Sequence, residues 1–356
     1  MALCYYITGH GFGHAIRSIQ VIKSLPPGLP LILKTTAPER LFREELPGRD
    51  FSYVSAEYDC GCLQSDSVSV LRRETLTRYG DIAQMNAARL PDEVAFLRAQ
   101  GVRCVVSDIP SFPLRVAQEA GIPGVAVANF TWHDIYSEYV ETDADAALLR
   151  QMASEYAAAT VACLTALNVP TVGDVFLNVE RVPLVARRGQ PKREALAEAL
   201  SIPSDKHLAL LYLGNWGLDI HWPALEQWTD WVFLVDGPLP QPIANVRAFD
   251  AHHWRYADVA ASVDAVVSKA GYGTLTECIA NSVPLVYLPR HGFREHEALV
   301  LGMNRWGGGV EISEPAFFAG EWGVALRSAL TARPDPSVFP INGADIIANK
   351  LVELHQ

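Results

Sequence analysis

A glycine-rich turn that carries two histidines directly follows the first predicted strand. The strand covers residues 3–8, and the segment GHGFGHAIR occupies residues 9–17. Glycines between a strand and a helix let the backbone approach a ligand closely and leave helix amides unpaired. A histidine there can take a proton from an acceptor hydroxyl, because the pKa of an imidazole lies near neutral pH. His14, at the predicted helix start, is the first candidate for such a base and His10 the second; alternatively, both only cap the turn.

A second glycine-rich turn, SKAGYGTLTE over residues 268–277, follows a predicted strand over residues 265–268. The free amides of a helix N-terminus bind anions, so this turn is suited to a diphosphate without a metal ion. Glu277, one turn into the helix, can reach ribose hydroxyls, as an acidic residue does in dinucleotide-binding folds. Alternatively, its carboxylate only interacts favourably with the positive end of the helix dipole. A nucleotide bound in this way would be the donor of a transferred group. The residues expected to bind this donor at the two turns are Gly11, Gly13, Lys269, Gly271, Gly273, Thr274 and Glu277.

Two loops of the second half could complete the donor site. Gly214 and Asn215 follow the first predicted strand of this half and are expected to face a cleft between the two halves of the chain. Glu295, His296 and Glu297 begin a predicted helix after the loop PRHGFR. Their polar groups could bond the hydroxyls of a donor sugar, although each of them, taken singly, is better explained as a solvated or capping residue.

Polar residues also follow two predicted strands of the first half. Asp108 comes at the end of a short apolar strand, and Asn129, Trp132 and Asp134 lie just past the next one. The carboxyl ends of parallel strands meet at one edge of a sheet, which is where such folds bind ligands. We expect these residues to line an acceptor pocket or, for Asp108, to orient the base. Asp108 could instead cap the helix that follows it.

The elements that position these residues alternate between strand and helix. Apolar runs predict strands over 3–8, 31–35, 51–54, 104–107 and 124–128, then over 208–213, 231–235, 265–268, 285–288 and 309–312. Helical patterns between them include 68–90, 92–100 and 112–120. This alternation predicts an α/β fold of two doubly wound parallel sheets. The polar stretch 181–193 separates an acceptor-side domain (1–185) from a donor-side domain (192–340), and residues 341–356 form a last helix.

Composition excludes several classes of function. The net charge is −11, which disfavours nucleic-acid binding, because phosphate contacts need clustered Lys and Arg. No apolar run is long enough to span a bilayer. Six scattered cysteines favour a reducing, cytoplasmic setting.

The segment Asp143-Ala144-Asp145 resembles a metal-binding DxD motif. However, it starts a helical pattern, and acidic residues are favourable at the N-terminal end of a helix without any metal. Neither a metal nor a cofactor is expected.

The motifs resemble a known family over nearly the whole chain. They are ITGHGFGHAIRS, YDCGCLQSDS, VVSDIPSFPLRVAQEAGIP, NFTWHDIYSEYV, the segment Val182-Pro183-Leu184, KAGYGTLTECIANSVPLVYLPR and INGAD. With these segments the sequence closely resembles the N-terminal, glycosyltransferase-like domain of plant L-arabinokinases. More distantly, His14 looks like the histidine of the glycine-rich loop of MurG-type transferases and of the GHxxP motif of glucuronosyltransferases. Residues 271–277 are similar to their donor signature.

This resemblance implies the GT-B fold, a UDP-sugar donor and inversion at the anomeric carbon. Those relatives end the donor loop with two glutamines or with Asp-Gln, whereas this chain has Glu295-His296-Glu297. We therefore expect a metal-independent transfer of a sugar from a UDP-sugar, or another nucleoside diphosphate sugar, to a small soluble acceptor. Two alternatives stay open: a nucleotide-sugar 2-epimerase with the same architecture, and a non-catalytic nucleotide-sugar sensor.

Overall fold

A computed structural model describes residues 1–64, 70–212, 220–239, 242–290 and 293–356. Seven parallel strands form the first sheet, in the order β3-β2-β1-β4-β5-β6-β7. They are β1 (Ala2–Ile7), β2 (Leu31–Lys34), β3 (Ser52–Val54), β4 (Val102–Asp108), β5 (Gly124–Ala128), β6 (Val161–Thr165) and β7 (Val179–Val182). In the centre, Leu3 of β1 pairs with Leu31 on one side and Cys104 on the other. Every residue of β1 is buried, which explains its continuous apolar run.

Six parallel strands form the second sheet, in the order β10-β9-β8-β11-β12-β13. They are β8 (His207–Tyr212), β9 (Trp231–Asp236), β10 (Val246–Phe249), β11 (Ala265–Lys269), β12 (Leu285–Leu288) and β13 (Gly309–Glu311). Val267 of β11 pairs with Leu211 of β8 and with Val286 of β12. In both sheets the strand order reverses next to the first strand, so each sheet has a crevice at the carboxyl ends of two neighbouring strands.

Helices cover both faces of each sheet. They are α1 (Phe12–Ser24), α2 (Glu39–Glu45), α3 (Arg72–Ala99), α4 (Phe112–Ala120), α5 (Trp132–Tyr136), α6 (Asp143–Ala157), α7 (Arg193–Ala199), α8 (Tyr256–Ala260), α9 (Tyr272–Asn281), α10 (Glu295–Trp306), α11 (Glu314–Ala319), α12 (Gly323–Thr331) and α13 (Gly343–His355). None of the described helices is long and apolar enough to cross a membrane.

The last helix, α13, returns to the first sheet. Its buried residues Ile347, Ala348 and Leu351 belong to the same apolar core as Leu3 of β1 and Ile19 of α1. We call the first sheet with its helices and α13 the first lobe, and the second sheet with its helices the second lobe. The domain limits 1–185, 192–340 and 341–356 stay a prediction, with the strands of the two sheets lying within 2–182 and 207–311.

The predicted α/β architecture of two doubly wound sheets is confirmed, with differences in detail. Helices predicted over 68–90 and 92–100 are one helix, α3, which contains Pro91. Ile82, Val94 and Leu97 are buried on both sides of this proline, and their packing outweighs the loss of one backbone hydrogen bond. Strand β7 lies partly within the predicted linker 181–193. Asp143 begins α6, as the helical interpretation of the DxD segment predicted.

Candidate active site

A cavity of about 1740 Å³ separates the two lobes at the carboxyl ends of their strands. The first lobe contributes His10 and His14 to its wall, and the second lobe contributes Lys269 and Glu277. The two glycine-rich turns singled out in the sequence therefore open into one shared space. Other predicted donor residues on the wall are Gly11, Gly13, Gly271, Gly273, Thr274 and Glu295.

His14 and Asp108 meet because their strands are neighbours. Asp108 ends β4, and His14 stands in the first turn of α1, which follows the adjacent strand β1. The Nδ1 atom of His14 lies 3.0 Å from Oδ1 of Asp108, and Phe130 packs edge-on against the imidazole. The His14 side chain is 13% exposed and that of Asp108 is fully buried. One ring nitrogen is thus held by a carboxylate at the edge of the cavity.

Arg17 and Ser18 fix the carboxylate of Asp108. Arg17 donates from Nε to Oδ2 at 2.9 Å and from Nη2 to Oδ1, and the Ser18 hydroxyl donates to Oδ2 at 3.0 Å. Burial alone would raise the pKa of Asp108, but the Arg17 charge and the hydrogen bonds from His14 and Arg17 lower it to about 2. Asp108 is therefore ionised at neutral pH and accepts hydrogen bonds only.

The tautomer of His14 depends on two competing neighbours. A proton on Nδ1 donates to the ionised Asp108 and leaves the lone pair of Nε2 free for a substrate proton. However, Nη2 of Arg17 lies 3.1 Å from the same Nδ1 and can only donate, which favours the tautomer with the proton on Nε2. The first tautomer suits a general base and the second a hydrogen-bond donor.

His10 is held as a neutral ring beside the second-lobe cations. Its imidazole lies edge-on to Trp132 and fills the space where a Cβ of Gly61 would stand. Burial, together with the charges of His14, Arg290 and Lys269, lowers the pKa of His10 to about 3. A group with so low a pKa is a weak proton acceptor at neutral pH, so the environment favours His14 over His10 as the base.

Asp59 is a buried carboxylate on the cavity wall that the sequence analysis did not single out. It accepts hydrogen bonds from the Thr8 hydroxyl at 2.8 Å and from Nε1 of Trp132 at 2.7 Å. Burial raises its pKa to about 6, because these two bonds offset only part of the desolvation. Asp59 therefore anchors the indole of Trp132, and both side chains belong to the cavity wall.

The N-terminus of α9 projects into the cavity without a side-chain cap among the described residues. Its first turn contains Gly273, and the Cβ that another residue would add there meets the Cα of Gly13 at 3.3 Å. The backbones of the two glycine-rich turns thus approach each other directly across the cleft. The amides of the first turn of α9 remain available to an anion at this point.

Lys269, the last residue of β11, lies beside that helix end. Burial and the nearby charge of Arg290 lower the pKa of Lys269 to about 8. Within the described part of the chain, the Lys269 ammonium forms neither an ion pair nor a hydrogen bond. A positive charge next to free helix amides attracts a diphosphate, and Thr274 adds a hydroxyl on the same wall.

Glu277 reaches the cavity from α9 and is tied to the other lobe. Arg187, in the segment between the sheets, donates from Nε to Oε1 of Glu277 at 2.7 Å and from Nη1 to Oε1 of Glu45 at 2.6 Å. Glu45 ends α2 of the first lobe. Burial raises the pKa of Glu277, and the Arg187 charge opposes that shift. One buried guanidinium therefore links a carboxylate of each lobe.

A second set of hydrogen bonds crosses the cleft near His14. Arg17 donates to Oδ1 of Asn129, and Nδ2 of Asn129 donates to Oε1 of Glu295, each at 2.5 Å. The Tyr272 hydroxyl donates to the Thr165 hydroxyl at 2.8 Å, and the Arg17 guanidinium lies over the Tyr272 ring. The Asp108 cluster of the first lobe is thus continuous with the α9 and α10 termini of the second.

Several predicted residues have other surroundings. Asn129 and Asp134 are buried and bonded within the protein, Asp134 in a capping box with Thr131, whereas Trp132 lines the cavity. The His296 ring packs edge-on against Tyr287, and Glu297 is exposed. Gly214 and Asn215 lie outside the described residues.

Three arginines of the site were not singled out by the sequence analysis. Arg17 stands three residues after His14 and so shares its helix face, a spacing that could have identified it. Arg290 follows β12 at the edge where ligands bind. Arg187 lies in a turn-rich segment with no periodic pattern, and only the packing of the lobes brings it to Glu277.

The chain is similar in sequence to part of a larger protein. L-arabinokinase from Arabidopsis thaliana is 32% identical to it over an alignment of 366 residues. The alignment covers 99% of this chain and 34% of that protein. The chain thus spans about a third of the relative's length. No protein-family model matches the chain.

Solved glycosyltransferases share the fold at low sequence identity. SnogD from Streptomyces nogalater superposes with a TM-score of 0.63 at 16% identity, covering 100% of this chain and 99% of SnogD. UGT2 from Phytolacca americana, complexed with UDP-2fluoro-glucose and pterostilbene, has a TM-score of 0.62 at 15% identity, with coverages of 100% and 94%. A UDP-glucosyltransferase from Polygonum tinctorium gives 0.63 at 16%, with coverages of 99% and 93%. The chain therefore has the two-lobed GT-B glycosyltransferase fold and is homologous over its length to part of L-arabinokinase.

Proposed function

We propose that the protein transfers a sugar from a nucleoside diphosphate sugar, in the first place a UDP-sugar, to a small acceptor. One observation carries this proposal: the His14–Asp108 pair of the first lobe and the uncapped N-terminus of α9 with Lys269 face the same cavity. A base and an anion site on opposite walls are what this transfer requires.

In the proposed reaction, Nε2 of His14 takes the proton of an acceptor hydroxyl. The acceptor oxygen attacks the anomeric carbon from the face opposite the diphosphate, so a new C–O bond forms as the bond to the diphosphate oxygen breaks. The configuration at that carbon is therefore inverted. The electron pair leaves with the diphosphate, which the α9 amides and the Lys269 ammonium stabilise in the way that a metal ion does elsewhere. Asp108 stabilises the imidazolium that His14 becomes.

The donor assignment depends on Glu277. Its carboxylate lines the cavity one turn beyond the diphosphate site, where it can accept hydrogen bonds from ribose hydroxyls. Arg187 holds this carboxylate through Oε1. UGT2 from Phytolacca americana, which has the same fold, was solved with a UDP-sugar analogue, and this supports uridine as the first base to test.

A non-catalytic sugar-nucleotide sensor is the second candidate, because one contact favours it. Nη2 of Arg17 points at Nδ1 of His14, and in the tautomer that accepts this hydrogen bond Nε2 carries a proton and cannot act as a base. A nucleotide-sugar 2-epimerase is the third hypothesis, and its reaction differs from the transfer because it needs no acceptor. In each case we place the protein in a reducing, cytoplasmic compartment, in keeping with its six free cysteines.

The test separates the three functions in one set of measurements. Purified protein is given UDP-hexoses and UDP-pentoses, alone and with a pool of small hydroxylated acceptors, and followed by proton NMR for UDP release and anomeric configuration. A transferase releases UDP only with acceptor, insensitive to EDTA and to Asp143→Ala on the exposed start of α6. Interconversion of donors without acceptor favours the epimerase. Tight UDP binding without turnover, unchanged in His14→Ala, favours the sensor, and absence of UDP binding overturns the donor site.

A further inference from the structure

Arg290 is a half-buried cation on the cavity wall that the proposed reaction does not use. It follows β12, and its guanidinium lies over the Phe293 ring, with Cζ 3.4 Å from the ring centroid. Its Nε atom is buried and has no hydrogen-bond partner. Across the described ranges of the chain, no carboxylate lies within ion-pair distance of this guanidinium. Stacking on Phe293 holds the planar fork in place but satisfies none of its N–H groups.

The groups around Arg290 do not balance its charge. Burial lowers its pKa, and the Glu295 charge and the polar groups of Cys62 and Tyr139 oppose that shift. The Cys62 thiol is neutral at neutral pH because burial raises its pKa to about 11, and burial raises the pKa of the Tyr139 phenol as well. Glu295 is engaged by Asn129 of the first lobe. A buried N–H group without a hydrogen-bond partner is costly, and an anionic ligand that binds the guanidinium removes that cost.

The location of Arg290 points to the acceptor. Its electrostatic neighbours Cys62 and Tyr139 belong to the first lobe, and its charge also acts on His10. The diphosphate site proposed above already has its own groups at the start of α9, with Lys269 beside them. Arg290 therefore lies on the cavity wall between the first-lobe groups around His10 and Lys269, whose pKa its charge also lowers.

We propose that the acceptor carries a phosphate or a carboxylate, which binds bidentately to the Arg290 guanidinium while its hydroxyl points to His14. This inference rests on the proposed function. A planar guanidinium with two parallel N–H groups matches the oxygens of either anion, whereas a neutral acceptor leaves the Arg290 charge without a counterion. The competing assignment is that Arg290 binds the second phosphate of the donor.

The experiment measures two binding events separately by calorimetry. UDP is titrated first, and then phenyl phosphate, benzoate and benzyl alcohol are titrated into UDP-saturated protein; these probes share a ring and differ in charge. We expect at least one anionic probe to bind about tenfold or more tightly than benzyl alcohol, and Arg290→Met to abolish this preference. The two anionic probes distinguish a phosphate acceptor from a carboxylate acceptor.

Arg294→Met is the matched control. Arg294 belongs to the same loop, but it bonds Ser137 and the backbone of Asp134 and is not on the cavity wall. This variant should keep the preference for the anionic probe. Arg290→Met should keep the UDP affinity within about twofold and melt no lower than wild type, since it removes a half-buried charge that has no protein counterion.

Two outcomes overturn the inference. Equal binding of charged and neutral probes to the wild type removes the anion site. A loss of UDP affinity of tenfold or more in Arg290→Met, with the probe preference intact, assigns Arg290 to the donor. If the wild type binds no UDP, the proposed function fails by itself, and the same probes titrated into free protein still decide whether Arg290 selects an anion.

Discussion

The two walls of the cavity hold their charges in different ways. On the first-lobe wall, Asp108 is fully buried, receives hydrogen bonds from Arg17 and Ser18, and lies 3.0 Å from Nδ1 of His14. On the second-lobe wall, Lys269 and Arg290 form no ion pairs within the described part of the structure. The pKa of Asp108 is held low by its partners, whereas burial lowers the pKa of both cations.

This difference separates groups that are fixed by the fold from groups that a ligand completes. A base has to be oriented before the substrate arrives, so its partners are supplied by the protein. An anion-binding wall gains affinity when its cations are left without protein partners, because the ligand then supplies their first good contact. Substitutions on the two walls should therefore differ in their effects on rate, stability and ligand binding.

The largest effect is expected from removing the base. His14→Ala should lower the rate of acceptor-dependent UDP release by about 10²- to 10⁴-fold, the range contributed by a positioned general base. UDP affinity should change little, since His14 is on the wall opposite the diphosphate site. His10→Ala is the control, and we expect a much smaller loss because the His10 ring is a weak base. A rate within tenfold of wild type in His14→Ala would remove His14 from the reaction.

The next effect concerns folding stability and has opposite signs on the two walls. Arg17→Met leaves Asp108 buried without its cation, so the free energy of unfolding should fall by about 3–5 kcal/mol. Lys269→Met removes a cation that has no protein counterion, so the unliganded protein should be as stable as wild type or more stable. Urea unfolding of both variants checks this. Equal destabilisation by the two substitutions would refute the contrast between the walls.

Much of the fold follows from the sequence because the central strands are buried on both faces. Such strands form continuous apolar runs, and β5 and β12 were predicted with their observed bounds. The pattern was nevertheless missed in β6, an interior strand that is mostly buried and was not predicted. Two of the edge strands, β7 and β10, were not predicted either, because in β7 only Val182 is buried and β10 has the polar Arg247 next to Val246. Their positions depend on pairing with β6 and β9 rather than on local composition.

The residues of the site likewise divide into those that strand order predicts and those that only the packing of the lobes brings together. His14 and Asp108 could be expected together because each follows one of two adjacent central strands, and strand order in doubly wound sheets is regular. The contacts of Glu295 with Asn129 and of Arg187 with Glu277 join residues 166 and 90 positions apart. These contacts depend on how the two lobes pack, and no spacing in the sequence encodes that arrangement.

A smaller effect tests the ribose site on the second wall. Glu277→Ala should weaken UDP binding by about tenfold or more, since hydrogen bonds to a charged group contribute about 1.5–3 kcal/mol. The wild type should prefer UDP to its 2′-deoxy analogue, and the variant should lose part or all of that preference. Calorimetry with both nucleotides measures this. Glu45→Gln is the control, because Glu45 also binds Arg187 but belongs to the first lobe. An unchanged UDP affinity in Glu277→Ala would show the donor assignment to be wrong.

The smallest effect is the pH dependence that Lys269 confers. Its pKa is lowered from 10.5 to about 8, first by burial and then by the Arg290 charge. Between these values the unfolded chain binds more protons than the folded one, so this group makes the free energy of unfolding rise with pH. A bound diphosphate favours the charged form, so UDP affinity should fall above about pH 8, by at most about tenfold per pH unit. The Lys269→Arg variant stays charged, so its UDP affinity should be the same from pH 7 to about pH 10. If the UDP affinities of wild type and this variant change with pH in parallel, the Lys269 ammonium does not contact the diphosphate.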